Sequence, residues 1–143
     1  IGWGKSTQLG YSLGLAMGAK LAAPEKDVIH MMGDAAFGMV GMDVETAVRA
    51  RIPILTIISN NSTMAIYPDS RFPVATARYQ MKKLSGNFAE VAQALGAHGE
   101  RIHKPHEIIP AIRRGLEVTR SGQPAVLEFM ISEEGATSTF KFD

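Results

Sequence analysis

Asp34 and Asn61 are the residues of this chain best suited to chemistry, because each lies just beyond an apolar run. Asp34 follows the apolar residues 28–32, and Asn61 follows the run 54–58 after two polar residues. Such runs predict strands, and the ends of neighbouring parallel strands meet at one edge of a sheet. We therefore expect Asp34 and Asn61, 27 positions apart, to lie close together. A carboxylate and a carboxamide oxygen suit a hard divalent cation such as Mg²⁺, which also takes waters and phosphate oxygens as ligands.

The residues after Asp34 favour a phosphate group at the same place. Ala35 and Ala36 are small, so a phosphate can approach their backbone N–H groups. A helix predicted to begin near Phe37 points its free N–H groups and the positive end of its dipole there. A plainer alternative is that Asp34 is the N-cap of this helix and that Asn60-Asn61 marks a turn. The placement of both segments at strand ends favours the ligand site.

The two segments together resemble the signature of thiamine diphosphate enzymes, which is Gly-Asp-Gly followed, one helix and one strand later, by Asn-Asn. It stands here as Gly33-Asp34-Ala35 and Asn60-Asn61, with Ala35 in place of a glycine and Ala36 where many members carry serine. Nearly the whole chain, through residues 124–129, is similar to the diphosphate-binding domain of the acetolactate synthase and 2-keto acid decarboxylase superfamily. The resemblance implies an α/β fold with three α/β/α layers and a mainly parallel sheet, the thiamine diphosphate-binding fold.

This resemblance also implies the ligands of the cofactor and of its metal. Asp34, the side-chain oxygen of Asn61 and the backbone carbonyl of Thr63 would bind Mg²⁺. The diphosphate of thiamine diphosphate would be held by the backbone around both segments, and the further cofactor-binding positions there are Gly33, Ala35, Ala36, Met64 and Ala65.

Two residues near the start of the chain are implied to contact the rings of the cofactor. Members of the family carry a bulky apolar residue before the first segment, where it supports the bent cofactor. Leu9, 25 positions before Asp34, corresponds to it, and the carbonyl of Thr7 would accept from the 4′-amino group. The alternative for Leu9 is an ordinary core residue of the first helix, since buried leucines are common.

The resemblance further implies that the chain holds only part of an active site. The Glu that activates the cofactor belongs to a pyrimidine-binding domain of the same enzyme or of a partner subunit, and no Glu here stands in a matching motif. Glu45 and Glu128 read as a helix-surface residue and a strand residue. We therefore expect no catalytic residue in this chain, and no turnover by the chain alone. The complete enzyme would be a 2-keto acid decarboxylase or carboligase, a lyase or transferase.

Two alternatives stay open at this point. One is a natural small subunit of a two-chain thiamine enzyme. The other is a non-catalytic α/β module that binds a nucleotide, although the sequence contains neither G-x-G-x-x-G nor a complete phosphate loop. The first residue is Ile1, so we expect a fragment of a longer enzyme or a separate subunit.

Composition excludes several other classes. The 143 residues suit one domain, 1–143, and 45% apolar with 20% charged residues is globular. Fifteen basic and fourteen acidic residues give a net charge of +1, so we expect neither nucleic acid nor a membrane surface as a partner. There is no Cys and no run of 18 apolar residues, which is compatible with a cytoplasmic protein.

Alternating patterns predict the elements that position these residues. The strands are predicted over 28–32, 54–59, 97–102 and 125–131. The helices are predicted over 7–22, from near 37 to 49, over 87–95 and over 105–120, with a long loop at 68–85. The helix at 87–95 would bury Phe88, Val91, Ala92 and Leu95, and the helix at 105–120 would bury Ile108, Ile109, Ile112 and Leu116.

Surface features predict an oligomer. Gly10, Gly14 and Gly18 recur every four residues, which favours close packing of the first helix against another element. The apolar Met39 and Met42 lie next to the first segment. We expect these positions to meet the other domain or a second copy, most often as a two-fold dimer. His30, within an apolar strand, reads as a packed histidine of the core or an interface rather than a metal ligand.

Overall fold

Strands and helices alternate along the chain as the apolar patterns predict. The computed structural model describes residues 8–64 and 68–133. Within them lie helices and strands in the following order: α1 Ser12–Ala22, β1 Ile29–Gly33, α2 Asp34–Val40, α3 Asp43–Arg49, β2 Leu55–Asn60, α4 Pro73–Tyr79, α5 Phe88–Ala94, β3 His98–Ile102, α6 Ile108–Arg120 and β4 Ala125–Met130. All four predicted strands are confirmed to within one or two residues.

The four strands form one parallel sheet in the order β1-β2-β4-β3. β1 and β2 pair from Ile29 opposite Leu55 to Gly33 opposite Ser59. β4 continues the ladder on the other side of β2, where Asn60 stands opposite Met130. Because all strands run the same way, their carboxyl ends lie at one edge of the sheet.

Two apolar cores cover the two faces of this sheet. The larger contains Leu13 of α1, Phe37 of α2, Val44 of α3 and Ala92 of α5, packed against alternate residues of the strands. The smaller is formed where α6 packs over β2, β3 and β4, with Ala111 against Leu55, Ile57 and Leu127. The predicted three-layer α/β fold is thereby confirmed.

In the part of the chain that the structure describes, β1 is an edge strand with one uncovered face. Its burial alternates, so that His30 and Met32 are buried whereas Ile29 and Met31 are exposed. Ile29 stands opposite Leu55 and therefore points to the side covered by α6. Among the described residues, α6 contacts the other three strands and leaves this part of β1 open.

Several predicted helix boundaries are wrong, among them the start of α2, which begins at Asp34 rather than near Phe37. The first helix begins at Ser12 rather than residue 7, because Gly10 has a φ of +92°, which a helix cannot contain. The predicted helix ending at 49 is two helices, α2 and α3, separated at Gly41 and Met42. The predicted loop 68–85 contains a 3₁₀ turn and then α4, whose first residue is Pro73, a position where proline is well tolerated.

Some predicted helix faces are also wrong. Ile109 is 57% exposed, because α6 turns its Ile108, Ile112 and Leu116 side toward the sheet. Val91 of α5 is 39% exposed. Gly10 does not share a surface with Gly14 and Gly18, since it is buried against Val40 while the other two are open to solvent.

The apolar positions next to the first segment are exposed. Met39 is 54% exposed and Met42 is 67% exposed. None of the helices in the described ranges is both long and apolar enough to cross a membrane.

We expect Gly99→Ala to lower the free energy of unfolding by about 1–3 kcal/mol, as overpacked sites do. Gly99 lies in β3 directly beneath α5, and a Cβ there would stand 2.2 Å from the carbonyl oxygen of Ala89. Urea denaturation measures the change. Gly38→Ala in α2 is the matched control, because its Cβ would meet nothing within 4 Å. The control is expected to be neutral or stabilising, and equal losses in both variants would contradict the packing argument.

Candidate functional site

The candidate site lies where β1 and β2 end side by side. Their pairing stops at Gly33 and Ser59, and Asp34 and Asn60 are the next residues on the two strands. β1 runs into α2 without a loop, since Asp34 is already the first helical residue. Neighbouring strands are about 4.8 Å apart, so the structure brings together the two predicted segments.

Asp34 has one carboxylate oxygen that is satisfied and one that is not. Oδ1 accepts a hydrogen bond from the Ala35 N–H at 2.9 Å. Oδ2 is buried and has no hydrogen-bond partner among the described residues. The alternative that Asp34 is an N-cap is wrong, because Gly33 occupies that position. A buried carboxylate oxygen without a partner is unfavourable, so the described residues by themselves leave this site incomplete.

Asn61 is the first residue of a tight turn. Its Oδ1 accepts from both the N–H and the hydroxyl of Thr63, at 3.1 and 3.0 Å. Thr63 is buried and forms an isolated antiparallel bridge with Lys83. A cation that took Asn61 Oδ1 as a ligand would compete with these two hydrogen bonds.

The backbone after this turn is already engaged. The Met64 N–H donates to the carbonyl of Lys82 at 2.8 Å, so a diphosphate could use it only if that bond opened. Ala65 lies outside the described residues, as does Thr7. Ala36 is buried in the first turn of α2 and Ala35 is partly buried, both beside Gly33.

Asn60 is buried, whereas Asn61 is partly exposed, and the two side chains have different partners. Its Oδ1 accepts from the Ser62 N–H at 2.8 Å, and its Nδ2 donates to Oε1 of Glu128 at 2.6 Å. Glu128 has no exposed surface. Sequence reasoning missed this contact and treated Glu128 as a plain strand residue. The available signal was a single charged residue inside the apolar strand 125–129.

The donors present fit a hard cation bound together with an anionic ligand. The described residues hold no cluster of three or more His, Cys, Asp or Glu side chains that could bind a metal alone. What they offer is one buried carboxylate oxygen of Asp34 at the end of β1, and the neutral oxygens of Asn61 and Thr63 on the turn after β2. A cation such as Mg²⁺, with phosphate oxygens and waters to complete its shell, fits this set.

A groove leads along the same edge of the molecule. Its volume is about 610 Å³, and it runs between α1 and β1. Leu9 precedes α1 and is 50% exposed, so the alternative that Leu9 is a core residue of the first helix is wrong. The residues that line the groove include Leu9, Ser12, Leu15, Ile29, Met31 and Gly33.

His30 lies at the base of this groove and is a packed histidine, as predicted. Its Nε2 is 2.8 Å from the Ser12 hydroxyl, and its Nδ1 is 3.4 Å from the Thr56 hydroxyl. Burial lowers the pKa of His30 below its ordinary value, so the ring is neutral at pH 7. Its neighbours are hydroxyl groups, and its place in the structure is to join α1 to the sheet.

Comparison with known proteins gives a family and several relatives. The family model described as "Thiamine pyrophosphate enzyme, C-terminal TPP binding domain" matches residues 1–129. A probable acetolactate synthase of Mycobacterium bovis is 33% identical over 133 residues, covering 85% of this chain and 22% of the relative. A sulfoacetaldehyde acetyltransferase of Alcaligenes xylosoxydans xylosoxydans is 31% identical over 127 residues, covering 87% of this chain and 21% of the relative.

A solved structure agrees with these relatives. The thiamine diphosphate-dependent 4-hydroxybenzoylformate decarboxylase of Rhodococcus jostii RHA1 superposes with a TM-score of 0.73 at 25% sequence identity. The match covers 90% of this chain and 24% of that chain. The chain thus spans about a fifth of the length of the curated relatives it matches.

Proposed function

The chain belongs to the thiamine pyrophosphate enzyme family, as a C-terminal TPP-binding domain, and from this premise we propose that it binds the cofactor's diphosphate through Mg²⁺. Asp34, Asn61 and the carbonyl of Thr63 are the proposed ligands of the metal. The backbone of Gly33, Ala35 and Ala36 would lie against the diphosphate.

The observation that carries this proposal is the buried Oδ2 of Asp34. A carboxylate oxygen is shielded from water and has no partner within the described residues, at the point where two strands end together. A divalent cation would satisfy it, whereas a neutral ligand would leave the charge uncompensated. The short side chains of Ala35 and Ala36 leave room for the anion that the cation would carry.

We further propose that the complete enzyme is a 2-keto acid decarboxylase or carboligase of the acetolactate synthase type. The support is that the relatives include acetolactate synthases, an acetyltransferase and 2-hydroxyacyl-CoA lyases. Thiamine diphosphate supplies an electron sink for cleavage or formation of a bond next to a carbonyl. The described residues of this chain would hold its charged end and orient it.

The other half of the site would come from a pyrimidine-binding domain, of the same enzyme or of a partner subunit. Support comes from the length of the relatives and from the apolar surface that this chain exposes at Met39 and Met42. A natural small subunit of a two-chain enzyme is compatible with the same site. No feature of the site favours the nucleotide-binding alternative.

Replacing Asp34 by Ala is expected to weaken binding of thiamine diphosphate in the presence of Mg²⁺ by at least about 100-fold, because loss of a direct ligand should exceed the 10–100-fold effect of outer-shell partners. Isothermal titration calorimetry with and without Mg²⁺ measures this. Asp43→Ala, which removes an exposed carboxylate at the start of α3, is the matched control and should bind normally. Metal-independent binding, or normal binding by Asp34→Ala, would overturn the assignment.

Leu9→Ala is expected to weaken binding of the whole cofactor while leaving binding of Mg²⁺-pyrophosphate unchanged, because Leu9 would support the rings and not the diphosphate. Since Leu9 is half exposed, the variant should lose less than about 1 kcal/mol of unfolding free energy. Leu13→Ala, at a fully buried position of α1, is the control and should lose the ~2–5 kcal/mol of a core truncation. An effect of Leu9→Ala on stability alone would contradict the role.

We expect the 143-residue chain to sediment as a dimer or higher oligomer at micromolar concentration, and to decarboxylate no pyruvate until a Glu-bearing domain is supplied. Met42→Lys should shift the equilibrium toward monomer, because it places a charge on the exposed apolar surface beside α2. Ile109→Lys is the control and should not shift it, because Ile109 is also more than half exposed but lies on α6. A wild-type monomer would contradict the assembly proposal, and turnover by the chain alone would contradict the half-site.

A further inference from the structure

Glu128 is the most deeply buried charged side chain among the described residues. It lies in the middle of β4 with 0% exposure. An ionised carboxylate without water is strongly disfavoured unless hydrogen bonds or cations compensate it, and apolar residues of the same volume often stabilise such sites better. Its presence therefore calls for a reason other than stability.

The carboxylate of Glu128 joins three separate elements. Oε1 accepts from the Asn60 side-chain amide at 2.6 Å, and Oε2 accepts from the Ala89 N–H in the first turn of α5 at 3.0 Å. The guanidinium of Arg101 on β3 stands 3.5 Å from Oε1 and is partly exposed. Each oxygen thus has its own donor, and the guanidinium of Arg101 lies nearby at a partly exposed position.

Asn60 passes this constraint to the turn of the candidate site. While its Nδ2 is held by Glu128, its Oδ1 accepts from the Ser62 N–H at 2.8 Å. Ser62 has a positive φ of 60° and stands between Asn61 and Thr63. The turn is held from its other side by backbone bonds from Leu84 to Ser62 and from Met64 to Lys82. Glu128 and Asn60 therefore hold one side of the turn at residues 61–63. The backbone hydrogen bonds with Lys82 and Leu84 hold its other side.

We propose that Glu128 is a positioning residue for the metal and diphosphate site, acting through Asn60 on the turn that presents Asn61 and Thr63. The inference rests on the proposed function. In this proposal the two asparagines have different roles: Asn60 is held in place by Glu128, and Asn61 binds the metal. Glu128 touches neither cofactor nor metal in this scheme.

The requirement for a carboxylate follows from its two donors. The Asn60 amide and the Ala89 N–H approach different oxygens, and a glutamine offers one oxygen and one NH₂ group. Glu128→Gln therefore keeps the volume of the side chain but places two donors against each other at one of the two contacts. If the carboxamide keeps its bond to Ala89, the Asn60 side chain loses its anchor.

The test is calorimetric binding of thiamine diphosphate with Mg²⁺ to the 143-residue chain, combined with amide hydrogen exchange without ligand. Glu128→Gln should weaken binding about 10–100-fold, as loss of outer-shell partners does. Exchange at Ser62 and Thr63 should accelerate in the variant, whereas exchange in β2 at Ile57 should not. Unchanged exchange and binding within twofold of wild type would overturn the proposal.

Exchanging the acid and the amide between positions 60 and 128 distinguishes a positioning role of Glu128 from a general contribution to stability. In Asn60→Asp with Glu128→Gln, the Gln NH₂ can donate to the Asp carboxylate and the Gln oxygen can still accept from Ala89. The Asp also retains an acceptor for Ser62. The double variant should bind within about threefold of wild type, and each single variant about 10–100-fold more weakly. If Glu128→Gln does not fold, the double variant alone decides, and weak binding by the folded double variant overturns the proposal.

Two controls complete the experiment. Glu100→Gln removes a carboxylate from β3, where Arg114 is its partner at the surface, and should bind as wild type does. Leu127→Val perturbs the neighbouring core position on the opposite face of β4, and should lower stability without affecting binding. Absence of Mg²⁺-dependent binding in wild type would overturn the proposed function and this inference together. Normal wild-type binding with an unaffected Glu128→Gln overturns the inference alone.

Discussion

The in-register pairing of β1 with β2 is the constraint on which the rest of the candidate site depends. The pairing runs from Ile29 opposite Leu55 to Gly33 opposite Ser59, so the chain leaves both strands at neighbouring positions of the sheet. A shift of one residue would turn every side chain of β1 to the other face, and would move Asp34 away from the Asn60-Asn61 turn. The two apolar cores fix this register, because His30 and Met32 must face α1 for the larger core to close.

The buried carboxylates of Asp34 and Glu128 differ in what compensates them. Glu128 receives donors at both oxygens from within the chain. Asp34 receives a donor at one oxygen, and its other oxygen has no partner within residues 8–64 and 68–133. Both oxygens of Glu128 are compensated by donors of the chain, which suits a supporting role. One oxygen of Asp34 has no donor among the described residues, which suits the binding of a ligand. The contrast between them distinguishes a supporting group on β4 from a binding group at the end of β1, on the two strands that flank β2.

The sequence was sufficient to predict the strands, the fold class and the neighbouring carboxyl ends of β1 and β2, because these follow from apolar patterns and from the geometry of parallel strands. It could not predict where α1 begins, since the left-handed φ of Gly10 depends on its packing against Val40. It also could not assign Glu128, whose partner Asn60 lies 68 positions away. Local patterns carry no information on such a contact, and a lone acidic residue in an apolar strand is only a hint of one.

The uncovered face of β1 has a consequence for handling the chain in isolation. An edge strand with free backbone groups and exposed apolar side chains such as Ile29 and Met31 is a template on which another strand can add. Lys26 and Asp27, the charges next to this strand, precede it and do not interrupt it. Aggregation through β-strand addition would therefore compete with ordered assembly. Met31→Lys would place a charge on this strand and oppose the addition of another strand. A comparison of this variant with wild type would distinguish aggregation of the folded chain from loss of the fold.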